Sequence, residues 1–153
     1  MPNLPIRVGA GVAGVCKGRF ATDADMAFAM EVFEAGGKAI ALEDEALIDA
    51  VTAISGSGPA YFYYFVEAIT EAGVQLGLTR KQALTMAEHT CLGAARMMVE
   101  TGEEPAVLRQ KVSSKGGTTL AALEVMEKAG VKQGIEAAVK RACERAKELA
   151  RGG

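Results

Sequence analysis

The sequence has little of the residue types that build disulfide scaffolds and metal sites. Its 153 residues include three cysteines and a single histidine, His89. The cysteines, at positions 16, 91 and 143, form no Cys-x-x-Cys pair, and their odd number does not suit a disulfide framework. No second histidine or carboxylate stands at ligand spacing from His89, so we expect no metal site. Cysteines used in this way are typical of a reducing compartment, which predicts a cytoplasmic protein.

An excess of one charge and a long apolar run are also absent. The chain carries 17 basic and 19 acidic side chains, a formal net charge of −2. Without a basic surplus to neutralise phosphates, nucleic acid is not an expected partner. No apolar run approaches the roughly 20 residues that cross a bilayer, so we expect no membrane partner either. Hydrophobic residues nevertheless make up 50% of the chain, enough for the core of one conventional domain.

Residues 1–43 are punctuated by proline and glycine. Short apolar runs at 6–8 and 38–42 predict two extended segments. Between them, Thr22 or Asp23 can cap a helix whose apolar residues recur at helical spacing, and the Gly-Gly pair that follows can end it. The pattern predicts a strand, a helix and a second strand.

From Asp44 onward the periodicity is helical. It predicts a short helix after Asp44 and further helices near residues 59–76, 80–101, 105–112, 119–129 and 134–150. The helix at 59–76 holds five consecutive aromatic residues, 61–65, which point in all directions at about 100° per residue. A helix that is apolar on every side must be buried on every side.

Two glycine-rich segments allow more than one interpretation. Gly9, Gly11 and Gly14 satisfy the G-x-G-x-x-G pattern, but no helical pattern opens at the last glycine, so we interpret them as a glycine-rich strand or turn. Residues 113–119, Ser-Ser-Lys-Gly-Gly-Thr-Thr, place two glycines and several hydroxyls just before a helix. This segment either gathers backbone N–H groups around a carboxylate or phosphate, or merely turns the chain while one of its threonines caps the helix.

Other polar residues carry weaker signals. The segment 55–59, Ser-Gly-Ser-Gly-Pro, either binds an anion or turns the chain, and without a nearby histidine base we expect no nucleophilic serine. His89 shares a helix face with Gln82 and Arg96, which favours a solvated or interfacial role over that of a catalytic base. The three cysteines lie among apolar residues and are expected to fill space in the core.

Three motifs resemble the pyrroline-5-carboxylate reductase family. Residues 49–61, Asp-Ala-Val-Thr-Ala-Ile-Ser-Gly-Ser-Gly-Pro-Ala-Tyr, resemble that family's signature region, and residues 108–119 resemble its second motif. Residues 1–5, Met-Pro-Asn-Leu-Pro, resemble a segment that follows a late strand of the family's cofactor domain. The order of these motifs and the intervals between them agree with the family over nearly the whole chain.

The resemblance implies a mainly α fold in two parts. Residues 1–43 would be a short β-α-β remnant of a Rossmann-type dinucleotide-binding domain. Residues 44–153 would form a helical dimerisation and substrate-binding domain of the 6-phosphogluconate-dehydrogenase C-terminal-like type. The aromatic helix at 59–76 would then be buried in the interface of a homodimer, which can assemble into a higher homo-oligomer.

The resemblance also implies an oxidoreductase of proline biosynthesis. Such an enzyme reduces the C=N bond of 1-pyrroline-5-carboxylate to give L-proline, with hydride from NADPH or NADH. The alternative is a protein of another class, a non-catalytic oligomerisation or small-anion-binding helical module.

The resemblance assigns roles to particular residues. It implies a substrate site made of Ser114, Gly116, Gly117, Thr118 and Thr119. Backbone N–H groups there would hold the ring carboxylate, and the hydroxyl of Thr119, the implied catalytic residue, would reach the ring nitrogen. Asn3 and Val112 would lie towards the nicotinamide of the cofactor, and Thr52 and Ser55 would support the pocket.

The chain departs from the family in two ways. The family's loop usually has proline at the position of Lys115, and lysine makes the loop less rigid while adding a cation near an anionic substrate. The strand, glycine-rich turn and helix that open the family's cofactor domain do not precede Met1. Because that phosphate-binding loop is not in this chain, we expect the chain alone to bind NADPH weakly and to be inactive.

Overall fold

The computed structural model describes residues 1–152, and most of them are helical. Strands β1 (Gly11–Cys16) and β2 (Gly37–Leu42) are joined by helix α1 (Asp23–Glu34). The later helices are α2 (Ile48–Val51), α3 (Gly58–Gln75), α4 (Arg80–Thr101), α5 (Pro105–Lys111), α6 (Thr118–Lys128) and α7 (Val131–Arg151). The other described elements are two short 3-10 helices, Leu4–Val8 and Glu45–Leu47, and a π-helical turn, Thr52–Gly56. The predicted fold class, mainly α with a short β-α-β unit at the front, is confirmed.

The chain divides into two compact units. The first comprises Met1–Tyr61 together with the chain from Glu136 onward, and the second comprises Phe62–Ile135. The division of the sequence into two domains after residue 43 stays a prediction.

The first unit contains a β-α-β crossover. β1 and β2 pair in parallel, with Gly11 opposite Gly37. Parallel neighbours need a crossover connection, and α1 supplies it and packs on both strands. α1 starts at one of the predicted caps, because the Thr22 hydroxyl accepts from the Asp25 N–H while the Asp25 carboxylate accepts from the Thr22 N–H.

The first strand is not where the sequence predicts it. The apolar run at residues 6–8 belongs to the 3-10 helix Leu4–Val8, and β1 begins only after that helix has ended. Pro5 lies in the first helical turn, where its fixed φ suits a helix and its missing N–H is not needed. Gly9 then ends the helix with a left-handed φ of 71°. The strand predicted at 6–8 is therefore wrong, whereas β2 confirms the strand predicted at 38–42.

Helix α4 in the second unit begins and ends on signals that the sequence shows. Thr79 and Gln82 form the expected capping box, and Gly102 ends the helix with a φ of 66°. α4 lies close to α3 because Gly73 has no side chain: a Cβ there would lie 2.8 Å from the Cβ of Ala83. Small residues thus set the distance between these two helices.

Helix boundaries differ from the predictions in two places. α7 begins at Val131, directly after Gly130, which is earlier than the apolar pattern indicates. The short helix predicted after Asp44 consists of a 3-10 helix, α2 and the π-helical turn Thr52–Gly56 in succession. The apolar spacing of an α-helix does not reveal a π-helical turn. In that turn the backbone hydrogen bond joins residues five positions apart, whereas in an α-helix it joins residues four positions apart.

No large apolar side chain is fully buried within the described chain. The buried apolar side chains are all alanines: Ala13, Ala39, Ala53, Ala83 and Ala87. Many larger apolar side chains stay exposed, among them Phe62 at 61% and Tyr64 at 74% on α3. No helix within residues 1–152 is both long enough and apolar enough to cross a membrane. Apolar patches of this kind usually mark a surface that another chain covers.

Candidate functional site

The residues predicted to bind substrate lie in the second unit, where Ser114, Gly116 and Gly117 belong to the loop between α5 and α6 and the two threonines begin α6. α5 ends where the Ser113 N–H donates to Gln110 O over 3.0 Å and Ser113 Oγ donates to Arg109 O over 2.6 Å. The loop closes with a turn in which the Gly117 N–H donates to Ser114 O over 2.9 Å. These three bonds define the path of the loop from its first residue to its last.

The two loop glycines are required for different reasons. Gly116 has a left-handed φ of 73°, which costs other residues roughly 1–2 kcal/mol. Gly117 has a φ of −82°, which any residue can adopt, but a Cβ there would lie 2.6 Å from Ser114 Oγ. The Ser114 side chain therefore packs directly against the backbone of Gly117, and a larger residue at 117 would require the Ser114 hydroxyl to move.

The first turn of α6 offers N–H groups without partners inside the helix. The N-cap residue is Gly117, which has no side chain to accept a hydrogen bond from that turn. The alternative in which Thr118 or Thr119 caps the helix is therefore wrong. Within residues 1–152, the hydroxyls of Ser114 and of both threonines have no hydrogen-bond partner. Backbone N–H groups and side-chain hydroxyls, both able to donate, therefore lie close together in sequence from Ser114 to the start of α6.

The charges around this helix start favour an anion. The first turn of α6 contains no acidic residue, so nothing in it offsets the positive end of the helix dipole. Lys115 adds an exposed cation, which has no ion-pair partner in the described part of the chain. A small carboxylate is the kind of group that such a loop can hold.

The G-x-G-x-x-G pattern does not form a phosphate-binding turn. Gly11 and Gly14 lie inside β1, so the interpretation as a glycine-rich strand is confirmed. A Cβ at Gly14 would lie 2.8 Å from Val51 Cγ1, and one at Gly11 would lie 2.7 Å from Ile6 Cα. Both glycines therefore serve the close packing of neighbouring elements on β1.

The helix that follows β1 is also unsuited to a phosphate. Its first turn contains Asp23 and Asp25, whose charges oppose the binding of an anion. Hydrogen bonds from the hydroxyl and N–H of Thr22 hold the pKa of Asp25 below its ordinary value, and a hydrogen bond from Lys17 does the same for the pKa of Asp23. Both side chains are thus carboxylates at neutral pH. This crossover provides no cradle for the pyrophosphate of a dinucleotide.

The two residues predicted to face the nicotinamide lie in different units. Val112, directly before the substrate loop, is 66% exposed. Asn3 lies in the first unit, where its Nδ2 donates to Ser55 O over 3.0 Å and its Oδ1 accepts from the Val12 N–H over 2.8 Å. Asn3 thus joins β1 to the π-helical turn, a link between distant residues for which the sequence carries no local signal.

The hydroxyls of Thr52 and Ser55 are engaged within their own helical segment. Thr52 Oγ1 donates to Ile48 O over 2.8 Å, and Ser55 Oγ donates to Val51 O over 3.1 Å. Each hydroxyl keeps lone pairs that can accept a bond, but its proton is already used. Their predicted support of the pocket stays a prediction.

Tyr61 makes a polar contact that the sequence pattern did not indicate. Its hydroxyl donates to Ala53 O over 3.0 Å, within the first unit. In the sequence Tyr61 is one of five consecutive aromatic residues, and nothing in that run distinguishes it from the others. The neighbouring Tyr63 hydroxyl has no hydrogen-bond partner in residues 1–152.

The remaining candidates do not form a second site. His89 is exposed on α4 and has no hydrogen-bond partner within residues 1–152. The three cysteines are partly buried and unpaired. In the described part of the chain, no group of three or more histidine, cysteine or acidic side chains is placed to hold a metal ion.

A shallow groove of about 170 Å³ lies beside the loop. It is lined by residues of α5 and α6 and by Ser113: Arg109, Gln110, Ser113, Leu120, Leu123, Glu124 and Glu127. None of the residues predicted to bind substrate lines this groove, and most of the loop is exposed in the single chain. A small ligand is normally held in a concave site, so the loop needs cover from a further surface to bind one tightly.

Comparison with known proteins gives a consistent family relationship. The family described as pyrroline-5-carboxylate reductase dimerisation matches residues 45–149. The pyrroline-5-carboxylate reductase of Methanosarcina acetivorans is 44% identical over 149 residues, which are 97% of this chain and 55% of that protein. The chain therefore spans about half the length of the curated relatives it matches.

Solved structures agree with the sequence match. A pyrroline-5-carboxylate reductase from Coxiella burnetii matches with a TM-score of 0.93 at 41% identity, covering 97% of this chain and 55% of that chain. The Plasmodium falciparum pyrroline carboxylate reductase, solved with NADP bound, matches with a TM-score of 0.90 at 33% identity, covering 97% of this chain and 61% of that chain.

Proposed function

Because this chain belongs to the pyrroline-5-carboxylate reductase family, we propose that it binds 1-pyrroline-5-carboxylate for reduction to L-proline, the last step of proline biosynthesis. The observation that carries the proposal is the loop before α6. That loop combines unpaired N–H and O–H donors, two glycines that let a ligand approach the backbone, and a helix start without acidic residues.

The ring carboxylate of the substrate is proposed to bind at the loop. The residues involved are Ser114, Gly116, Gly117, Thr118 and Thr119. Backbone N–H groups without an acceptor inside α6 can hold the carboxylate, and the helix dipole favours its charge. Lys115 contributes only modestly, since ion pairs at exposed positions are weak.

Thr119 is the proposed catalytic residue. Its hydroxyl has no partner within residues 1–152 and can therefore donate to the ring nitrogen. When hydride adds to the carbon of the protonated C=N bond, the π electron pair moves to nitrogen, which becomes a neutral amine. A hydrogen-bond donor at that nitrogen stabilises the amine as it forms, which lowers the barrier.

A nicotinamide cofactor, NADPH or NADH, supplies the hydride in this proposal. The relative solved with NADP supports a pyridine nucleotide. The described β-α-β crossover does not fit the pyrophosphate, because its glycines lie inside β1 and α1 begins with two carboxylates. We therefore propose that this chain alone is inactive, with Asn3 and Val112 on the side of the nicotinamide.

The helical part, residues 44–153, is proposed to form a homodimer or a higher homo-oligomer. The matched family is one of dimerisation domains, and the exposed aromatic residues of α3 supply apolar surface for a second copy to cover. Residues 1–43 are proposed to be the end of a dinucleotide-binding domain. The unpaired cysteines suit the proposed cytoplasmic location.

The proposal is tested by titrating ¹⁵N-labelled protein with L-proline and following backbone amides by NMR. We expect millimolar affinity, roughly −4 kcal/mol, with the largest shifts at residues 114–119. Cyclopentanecarboxylate has the ring and the carboxylate and should move the same amides, whereas the neutral cyclopentanecarboxamide should not. Shifts that leave residues 114–119 unmoved would contradict the loop as the carboxylate site.

A non-catalytic oligomerisation or small-anion-binding module is the second candidate. It is favoured by the acidic first turn of α1, which is unsuited to cofactor phosphates. The two candidates differ in what the complete natural gene product does with NADPH. The enzyme binds it and reduces 1-pyrroline-5-carboxylate, whereas the module binds carboxylates without binding NADPH.

A further inference from the structure

The turn Thr52–Gly56 is the one π-helical element in residues 1–152. The Ser57 N–H donates to Thr52 O over 2.8 Å, a hydrogen bond between residues five positions apart, which defines a π-helical turn. Turns of this kind are rare and occur frequently at functional sites. This one stands directly before α3, which carries the aromatic residues of the proposed dimer interface.

Two side chains from outside the turn donate to its carbonyl oxygens. Asn3 Nδ2 donates to Ser55 O over 3.0 Å, and Tyr61 Oη donates to Ala53 O over 3.0 Å. Ala53 is only 1% exposed, so water has little access to replace the tyrosine hydroxyl. A buried carbonyl left without a partner is costly, so these two donors stabilise the wide turn.

Asn3 also ties the turn to the sheet. Its Oδ1 accepts from the Val12 N–H of β1 while its Nδ2 donates to the turn. One amide therefore connects two elements that are far apart in sequence. Gly14 adds a packing contact between the same strand and α2, since a Cβ there would lie 2.8 Å from Val51 Cγ1.

We propose that Asn3 and Tyr61 are positioning residues that hold the π-helical turn in place and so preform the start of α3, residues 58–61. They act through the carbonyl groups of Ser55 and Ala53 and not by contact with a substrate. The inference rests on the proposed function, because the proposed homodimer is what the aromatic residues of α3 would form. A preformed helix start reduces the conformational freedom lost on association, which strengthens the dimer.

Tyr61→Phe tests the positioning role of Tyr61, because the substitution removes only the hydroxyl that donates to Ala53 O. Tyr63→Phe is the matched control, since the Tyr63 hydroxyl has no partner within residues 1–152. The readout is hydrogen exchange of the Ser57 amide, whose bond to Thr52 O defines the turn. We expect exchange at Ser57 to become about tenfold faster in Tyr61→Phe and to stay within about twofold in Tyr63→Phe, with α4 amides unchanged in both.

Asn3→Asp separates the two bonds of Asn3. At neutral pH the introduced carboxylate still accepts from the Val12 N–H but cannot donate to Ser55 O. We expect faster exchange at Ser57 and a dimer dissociation constant raised about fivefold, measured by analytical ultracentrifugation. At low pH the protonated carboxyl regains a donor, so both readouts should return towards wild type at matched pH.

The outcomes distinguish the positioning role from the proposed dimer. If Tyr61→Phe changes hydrogen exchange at Ser57 no more than Tyr63→Phe does, the proposed positioning role is wrong, whatever the oligomeric state. Equal loss of protection throughout α4 would indicate general destabilisation and would also overturn the positioning role. If hydrogen exchange responds as expected but the wild-type protein is monomeric at micromolar concentration, the positioning role is supported and the proposed dimer is wrong.

Discussion

At the scale of single residues, the proposed substrate loop depends on a missing Cβ. A Cβ at Gly117 would lie 2.6 Å from Ser114 Oγ and 3.1 Å from Ser114 O. The first distance is too short for any real contact, so the serine side chain would have to move. A Cβ at Gly116 would have nothing within 4 Å, so this position needs glycine only because of its φ of 73°.

Gly117→Ala should weaken L-proline binding about tenfold, or about 1.4 kcal/mol. The reason is that the alanine methyl displaces the Ser114 hydroxyl and reshapes the loop. The double variant Gly117→Ala with Ser114→Ala removes the clashing Oγ and should recover part of the affinity. NMR titration of both variants and of Ser114→Ala measures this, and a double variant that binds no better than Gly117→Ala would count against the clash.

At the scale of elements, the cap of a helix decides what its first turn can bind. α1 begins with a capping box in which Thr22 and Asp25 satisfy each other. α6 begins at Gly117, without a side-chain cap and without an acidic residue in its first turn. The two helix starts therefore differ in chemistry: the first is occupied by carboxylates, and the second is open to a carboxylate from a ligand.

The capping box of α1 should make stability depend on pH in the acid range. Hydrogen bonds from Thr22 lower the pKa of Asp25 in the folded protein. A lowered folded-state pKa means that the carboxylate stabilises the fold above the unfolded-state pKa of about 3.9, and that this contribution is lost as the pH falls through the folded-state value. We expect the stability difference between wild type and Asp25→Asn to be constant above about pH 5 and to shrink below about pH 4.

Thermal unfolding of both proteins between pH 3 and pH 7 measures this dependence. Asp25→Asn removes the titrating group and keeps the size of the side chain, so other acidic groups contribute equally to both curves. A stability difference that does not change over this range would show that Asp25 does not stabilise the fold through its charge.

Thr79→Ala should lower the free energy of unfolding by about 1 kcal/mol. The Thr79 hydroxyl accepts from the Gln82 N–H at the start of α4, and alanine leaves this N–H without that partner. Thr85→Ala is a suitable control, because Thr85 is exposed within the same helix, where alanine is a better helix former. Urea unfolding followed by circular dichroism measures both variants. Equal effects of the two substitutions would mean that the cap adds nothing.

At the scale of the whole molecule, the described chain leaves many of its large apolar side chains exposed. Its buried apolar side chains are all alanines, while Phe62, Tyr63 and Tyr64 on α3 are more than half exposed. A helix with apolar residues on every side is stable in water only when another surface covers it. A second copy of the chain is the cover that the matched dimerisation family indicates.

Phe62→Asp should convert the proposed dimer to monomer at about 10 μM. A charge at this position would be buried without a partner in the interface, which costs several kcal/mol. Phe20→Asp is the control, because Phe20 is 87% exposed but lies outside the helical domain. Light scattering should give the dimer mass for wild type and Phe20→Asp and half of it for Phe62→Asp. Wild-type protein that is already monomeric would refute the proposed interface.

The sequence by itself determined most of the helices and the position of the candidate site. The capping box at Thr79 and Gln82 and the glycine at 102 define α4 through bonds within a few residues, so their spacing is visible in the sequence. The segment 113–119 is recognisable for the same reason, since its glycines and hydroxyls are neighbours in the chain. The family resemblance also rested on contiguous motifs, and the match over residues 45–149 confirms it.

Only the tertiary structure decided which of several local interpretations is correct. Residues 6–8 have the composition of a strand, yet they belong to a 3-10 helix whose first turn suits Pro5 and which Gly9 ends. For Gly11 and Gly14 the sequence favoured a glycine-rich strand or turn without deciding between them, and the structure places both glycines in β1, with Ile6 and Val51 packed against them.

The hydrogen bond from Asn3 to Ser55 joins residues 52 positions apart, and no local sequence pattern predicts it. The physical reason is one of range. Helix caps and turns depend on steric and hydrogen-bonding preferences within four or five residues, whereas the environment of Asn3 depends on where the folded chain brings β1 and the π-helical turn together.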